Sequence, residues 1–197
     1  MKIIFLDNDG VICLENNWGG RSKKWAKYKK MYPDETSDTN APAYYRFDNF
    51  DKKAIRVLNS ILEETGAEIV VSSDWKLHAT LEELQIYYLS QGIIKAPIAC
   101  TKRYIGCDRV DDFVWHRSSM YEQQRALEIN QFITDHPEIT HWVAVDDLKM
   151  GIYPNMSDGS SKWGLTNFVE TPRRNEGIKQ VGIKEKIIGF LNDEKNE

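Results

Sequence analysis

Three short apolar runs in this chain, Lys2–Leu6, Ala67–Val71 and His141–Val145, each stop abruptly at a polar cluster: Asp7-Asn8-Asp9, Ser72-Ser73-Asp74 and Asp146-Asp147. Short apolar runs bounded in this way predict strands buried on both faces, the form that strands take in parallel sheets. Helical patterns fill the spaces between them. Phe47–Thr65 reads as a helix with Phe50, Ala54, Val57, Leu58, Ile61 and Leu62 on one face and Gly66 as its stop. Thr80-Leu81-Glu82-Glu83 has the form of a capping box, opening a helix that ends near Gly92. Ser119-Met120-Tyr121-Glu122 repeats that form ahead of a helix reaching His136, just before Pro137. A weaker strand at Thr166–Val169 and a helix near Ile183–Leu191 complete the order. Strands alternating with helices predict an α/β fold, a parallel sheet with helices on both faces. Such sheets bind ligands beyond the carboxyl ends of their strands, which is where all three polar clusters would lie.

Two stretches interrupt the alternation. Glu15–Arg46 is rich in Lys, Tyr, Asn, Pro and Asp, and it separates the first strand from the first long helix. A crossover this long is usually functional, so the expectation is a small cap-like insertion within a single domain spanning residues 1–197. Pro154–Trp163 is a second polar loop, rich in Gly and Ser. With 26 Lys and Arg against 30 Asp and Glu, the net charge is −4, which excludes a generally basic nucleic-acid binder but leaves room for a local basic patch. Three cysteines (Cys13, Cys100, Cys107), none in a C-x-x-C, argue against a disulfide framework or a structural zinc site and suit a reducing, cytoplasmic compartment. No apolar run approaches the roughly 18 residues of a membrane helix, and the N-terminal run is too short for a signal peptide. No membrane partner is expected; the oligomeric state is not legible.

If the strands are neighbours, Asp7, Asp9, Asp74, Asp146 and Asp147 converge. Any one strand-end Asp can simply cap a turn. Several together repel one another unless a cation neutralises them, and hard carboxylate oxygens suit Mg²⁺ better than zinc.

The same residues carry a family resemblance. Phe5-Leu6-Asp7-Asn8-Asp9-Gly10-Val11 resembles the first motif of the haloacid dehalogenase-like (HAD) hydrolases, Ile69-Val70-Val71-Ser72 the second, and Val143-Ala144-Val145-Asp146-Asp147 the fourth, in family order. Ser72-Ser73-Asp74-Trp75-Lys76 is similar to a small subset with a Trp after motif two, some of them associated with RNA repair. The resemblance implies a HAD-like Rossmannoid fold and a Mg²⁺-dependent phosphatase that hydrolyses a phosphate monoester. Asp7 would be the nucleophile forming an aspartyl-phosphate, and Asp9 the general acid and base. Mg²⁺ would be held by the Asp7 carboxylate, the Asp9 backbone carbonyl and Asp146, helped by Asp147. Ser72, or Ser73 if the register shifts by one, would hold a phosphate oxygen. The cation of motif three is poorly defined. Arg125-Ala-Leu-Glu-Ile resembles the R-G-x-E-I run of the Trp-bearing subset, and Arg117 is the alternative; an exposed helix charge is the plain reading of Arg125.

The insertion contains Arg21, Lys23, Lys24, Lys27, Lys29 and Lys30 interleaved with Trp25 and Tyr28. That run either binds phosphates while stacking a base or is a solvated helix whose aromatics pack inward. The four histidines show no metal-ligand spacing, and Trp115 and Trp142 read as core. Expected substrates are a nucleotide or a nucleic-acid end. A phosphotransferase and a non-catalytic phosphate or nucleic-acid binder on the same scaffold are the alternatives. Retention of both Asp7 and Asp9 disfavours the binder. A receiver-type phosphorylation module would carry its acidic pair on the first strand, the reverse of the order here.

Overall fold

The computed structural model describes residues 1–37, 40–103, 117–152 and 164–192, the side chains of 117–120 excepted. Five strands, β1 (Lys2–Leu6), β2 (Glu68–Val71), β3 (Ala99–Cys100), β4 (His141–Asp146) and β5 (Phe168–Glu170), form one parallel sheet in the order β3-β2-β1-β4-β5. The first strand is central. Its neighbours β2 and β4 carry the other two polar clusters, so all three strand ends meet at one edge of the sheet.

Side chains alternate across a strand, and here the alternation separates two cores. Ile4, Leu6, Ile69, Val71, Val143 and Val145 face one layer. This layer is made by α3 (Lys52–Thr65), α4 (Leu81–Gln91) and α6 (Ile183–Asn192), which contribute Leu58, Ile61, Leu84, Tyr88 and Ile187. Ile3, Phe5, Val70, Trp142 and Ala144 face the other, covered by Ala126 and Ile129 of α5 (Arg117–Asp135). Near-continuous apolar strands are thus required, because neither face of the sheet meets water. Trp142 is a core residue, 6.0 Å from the Phe5 ring.

Several boundaries differ from the sequence expectation. The long helix begins at Lys52, not Phe47, because the Asp51 carboxylate accepts from the N–H groups of Lys53 and Ala54 at 2.9 Å each and caps it there. Phe47 and Phe50 precede the cap and stack on Trp75, with ring centroids 4.3 and 5.4 Å away. Thr80 and Glu83 form the expected capping box, and Gly66 and Gly92 end their helices in the left-handed conformation. The box expected at Ser119 is not a helix start: α5 already runs from Arg117, and it ends at Asp135, one residue before His136. The last strand lies at Phe168–Glu170 rather than Thr166–Val169, in register with Ala144–Asp146. The two-residue β3 was not anticipated, since two residues are too few to show a period; Ala99 and Cys100 pair with Val70 and Val71.

The segment between β1 and α3 folds as a 3₁₀ turn at Glu15–Asn17, then α1 (Gly20–Met31) and the short α2 (Ala43–Arg46). Its aromatics pack on one another. Tyr28 is buried, with ring centroids 5.6 Å from Trp25, 4.7 Å from Tyr32 and 4.8 Å from Tyr45. Cys13 and Cys100 are free thiols. Cys107, Trp115, His116 and the Pro154–Trp163 loop lie outside the described residues. Among the described residues no helix is long and apolar enough to cross a membrane.

Candidate active site

The chain leaves β1 through a tight turn. Asp7 is still held to the sheet, its N–H donating to the Val145 carbonyl at 3.1 Å. The Asn8 carbonyl then accepts from the N–H groups of Val11, Ile12 and Cys13, while the Asn8 side-chain oxygen accepts from the Tyr88 hydroxyl at 2.5 Å. Gly10 is required in this turn on two counts. Its φ is +74°, and a Cβ there would stand 2.6 Å from the Asp147 carboxylate.

Three of the five carboxylates cluster. Asp7, Asp146 and Asp147 each present an oxygen within 4.8 Å of the others. Burial first, and then repulsion from Asp146, pushes the Asp7 carboxyl well up, although Arg125 opposes the shift. Asp146 is also raised by burial, against the pull of Arg125 and the Leu148 N–H. Asp147 is pushed up to about 6, by burial and then by Asp146, with Arg174 opposing. These buried oxygen donors carry more negative charge than their neighbours neutralise, and they include no nitrogen or sulfur ligand. That chemistry fits a hard divalent cation.

Asp9 stands apart from this trio. Its carboxylate accepts from the Trp75 indole Nε1 at 2.8 Å, and burial raises its pKa while that hydrogen bond lowers it. Its side chain is therefore not one of the clustered oxygens, although it borders the same cavity of about 430 Å³ as Asp7, Ser73, Asp74, Arg125 and Asp147. A cavity of about 520 Å³ between β5 and the start of α6 is larger but is lined by none of these residues.

Arg125 ties the three strand ends together. Its Nη1 lies 3.0 Å from both Asp7 and Asp146, and its Nη2 lies 2.9 Å from Asp74. It is buried, so it is not the ordinary exposed helix charge. The Arg117 side chain falls outside the described residues. The loop after β2 grips α5 a second time, since Lys76 donates to Thr101 at 2.7 Å and pairs with buried Glu128, one helical turn beyond Arg125. Ser72, Asp74, Trp75 and Lys76 thus stand in consecutive roles. The first extends β2 by donating its N–H to the Leu6 carbonyl, and the other three bind Arg125, Asp9 and Glu128.

Four buried polar side-chain atoms among the described residues lack a hydrogen-bond partner, and three belong to this site: Asn8 Nδ2, Ser72 Oγ and Ser73 Oγ. Burying such groups unpaired costs about 1–3 kcal/mol each, so their concentration at two adjacent strand ends marks a place built for a polar ligand.

Sequence reasoning missed Arg174, whose Nε lies 2.5 Å from Asp147. The available signal was the Arg173-Arg174 pair just beyond the last strand, whose end faces the same edge of the sheet. It also missed Trp18, which lines the acidic cavity. Of the basic run, Arg21 borders a cavity shared with Asp9, whereas Lys24 turns to Asn49 and the Tyr44 ring.

Neither a curated protein nor a solved structure matches the chain. A family model does, over residues 3–180, and it describes a HAD domain in Swiss Army Knife RNA repair proteins. Nine-tenths of the chain lies within that match, including the whole carboxylate edge and, but for Lys2, all five described strands, so the chain belongs to the HAD domains of the Swiss Army Knife RNA repair proteins and is a HAD-type hydrolase.

Proposed function

We propose that the protein is a Mg²⁺-dependent phosphatase that removes a phosphate monoester from a nucleotide or a nucleic-acid end. The observation that carries this reading is the cluster of Asp7, Asp146 and Asp147 at one sheet edge, beside the unpartnered hydroxyls of Ser72 and Ser73. Asp7 is the nucleophile: a carboxylate oxygen attacks phosphorus and the ester P–O bond breaks. Asp9 gives its proton to the departing oxygen, and its raised pKa favours the protonated form that this step needs. Asp9 then takes a proton from water, which attacks phosphorus, breaks the bond to Asp7 and releases inorganic phosphate. The Ser72 and Ser73 hydroxyls donate to the phosphate oxygens, and Arg125 balances the transferring charge. The Asp7 carboxylate, the Asp9 backbone carbonyl and Asp146, with Asp147 in support, would hold Mg²⁺, which when bound would supply Lewis-acid stabilisation of charge on the phosphate.

The nucleic-acid substrate is supported by the RNA-repair description of the family and by the local charge of the insertion, six cations between Arg21 and Lys30 in a chain of net charge −4. In this reading the Glu15–Arg46 segment is a small cap beside the site. A panel of 5′- and 3′-phosphorylated oligonucleotides, nucleotides and p-nitrophenyl phosphate, assayed with and without Mg²⁺, tests the proposal. Asp7→Asn should abolish turnover, and Asp146→Asn should raise the Mg²⁺ needed for half-maximal rate. Efficiency on oligonucleotides should fall steeply with added salt through counterion release. Turnover by Asp7→Asn at the rate of the unsubstituted protein would refute the mechanism.

A further inference from the structure

Asp9 borders three cavities, of which one of about 300 Å³ runs toward Arg46 and His78. Of the other two, the first is the acidic cavity that it shares with Asp7, and the second, of about 440 Å³, lies against the first turn of α1 and is walled by Gly19, Arg21, Ser22, Phe47 and Trp75. Trp18 lines both. It differs from the other aromatics of the cavity beside α1. Phe47 and Trp75 are buried and stacked on each other at 4.3 Å, while Trp18 is 39% exposed. Its indole is nevertheless held, because Nε1 donates to the Cys13 carbonyl at 3.1 Å.

The turn that follows is anchored as firmly. The Asp48 carboxylate accepts from the N–H of Gly19 at 3.1 Å and of Arg21 at 2.5 Å, which ties the start of α1 to the body of the protein. Arg21 keeps its backbone in that grip, yet its side chain is exposed; it acts on the Asp9 carboxylate electrostatically but makes no ion pair within 4.0 Å among the described residues. A rigid, exposed indole beside an exposed guanidinium is the pairing that a nucleotide requires: a flat π face for the base and a planar donor fork for a phosphate. Trp25 and Tyr28, the aromatics of the basic run, pack within the insertion instead.

We propose that Trp18 and Arg21 form a subsite for the terminal nucleotide of a nucleic-acid end, with Trp18 stacking on the base and Arg21 pairing with the adjoining phosphodiester. This rests on the phosphatase reading above, which puts the terminal phosphate at Asp7. The subsite lies on the leaving-group side of Asp9, where the rest of the substrate must extend while its oxygen is being protonated.

The test uses oligoribonucleotides ending in a 3′- or 5′-phosphate, each with an intact or an abasic terminal residue. Binding to the Asp7→Asn protein in Mg²⁺ is measured by fluorescence anisotropy, and hydrolysis is measured with the unsubstituted protein. Stacking of one base is worth about 1–3 kcal/mol, so intact ends should bind about fivefold to a hundredfold more tightly than abasic ends. Adding Trp18→Ala should collapse that ratio toward one, and Trp18→Phe should keep most of it. Arg21→Ala should weaken both ends alike and flatten the salt dependence. A ratio already near one, a ratio that survives Trp18→Ala, or an affinity and salt dependence left unchanged by Arg21→Ala would overturn the subsite. A base preference in binding with no hydrolysis of any end would instead sink the phosphatase reading and leave the subsite standing.

Discussion

Asp7 and Asp9 sit two residues apart, yet their surroundings differ. Asp7 faces Asp146, Asp147 and Arg125, so its carboxylate lies among crowded anions and one guanidinium. Asp9 faces the Trp75 indole, which holds one carboxylate oxygen at 2.8 Å. Trp75→Phe keeps an aromatic ring against Phe47 but removes this donor. On the proposed chemistry it should forfeit part of the roughly 10²–10⁴-fold that a positioned acid supplies. The loss should fall on ribose phosphates, whose leaving alkoxide needs a proton, and much less on p-nitrophenyl phosphate, which departs as a stable phenolate. Steady-state rates on the two substrates check this. Equal losses would mean that Trp75 serves the fold and not the acid.

Among the elements, α3 shows how one side chain decides where a helix starts. Apolar periodicity runs back through Phe50 and Phe47, but the Asp51 carboxylate takes the N–H groups of Lys53 and Ala54 and stops the helix there. Removing the cap in Asp51→Ala should cost about 0.5–2 kcal/mol in chemical denaturation. Burial would raise the Asp51 carboxyl, but the Ala54 N–H and Lys179 outweigh it, and the net shift is downward from 3.8. A lowered folded-state pKa means that the contribution is present above that ordinary value and is lost as pH falls through the folded one. The gap between Asp51→Ala and the unsubstituted protein should therefore close in acid. A gap unchanged down to about pH 2 would contradict the charged-cap account.

For the whole molecule, the carboxylate edge is a standing electrostatic cost. Asp7, Asp146 and Asp147 all bind protons more tightly when folded, Asp147 at about 6. Raised carboxyls contribute stability that is full below their unfolded values and is lost as pH rises through the folded ones. In metal-free buffer the melting temperature should rise as pH falls from about 7.5 to about 5.5, across the Asp147 value. On the proposed function, Mg²⁺ would compete with those protons. A concentration of 100 times Kd should add about 2.7 kcal/mol, and for a chain of this size each kcal/mol moves Tm by about 2–4 °C. That rise should be larger at the higher pH. Thermal melts at both pH values, with and without Mg²⁺, check the expectation. A metal effect that is absent, or equal at both, would remove this cluster as the cation site.

How much of this was legible in the chain follows from the range of the forces involved. The identities of β1, β2, β4 and β5 and of α3 to α6, the parallel α/β class and the edge where the carboxylates gather were readable, because they rest on apolar runs and on polar residues that follow them directly. Thr80 and Glu83 announced their capping box for the same reason, with partners three residues apart. The family likeness read from Asp7–Gly10, Ser72 and Asp146-Asp147 likewise agrees with the match over residues 3–180. Contacts between distant positions were not readable in this way. Nothing local says that Trp75 reaches Asp9 across 66 residues, that Lys76 meets Glu128, or that Arg174 closes on Asp147. The same limit applies to the aromatics of the insertion. The basic run pointed to Trp25 and Tyr28 as the aromatics that meet a ligand and left Trp18 unnoticed, and only packing against Tyr32 and Tyr45 removed Tyr28 from the surface. Short-range patterns determine which elements form, since their partners lie within a turn or a strand. The sheet order then decides which side chains share a cavity, because it brings the ends of β1, β2 and β4 side by side from positions more than sixty residues apart.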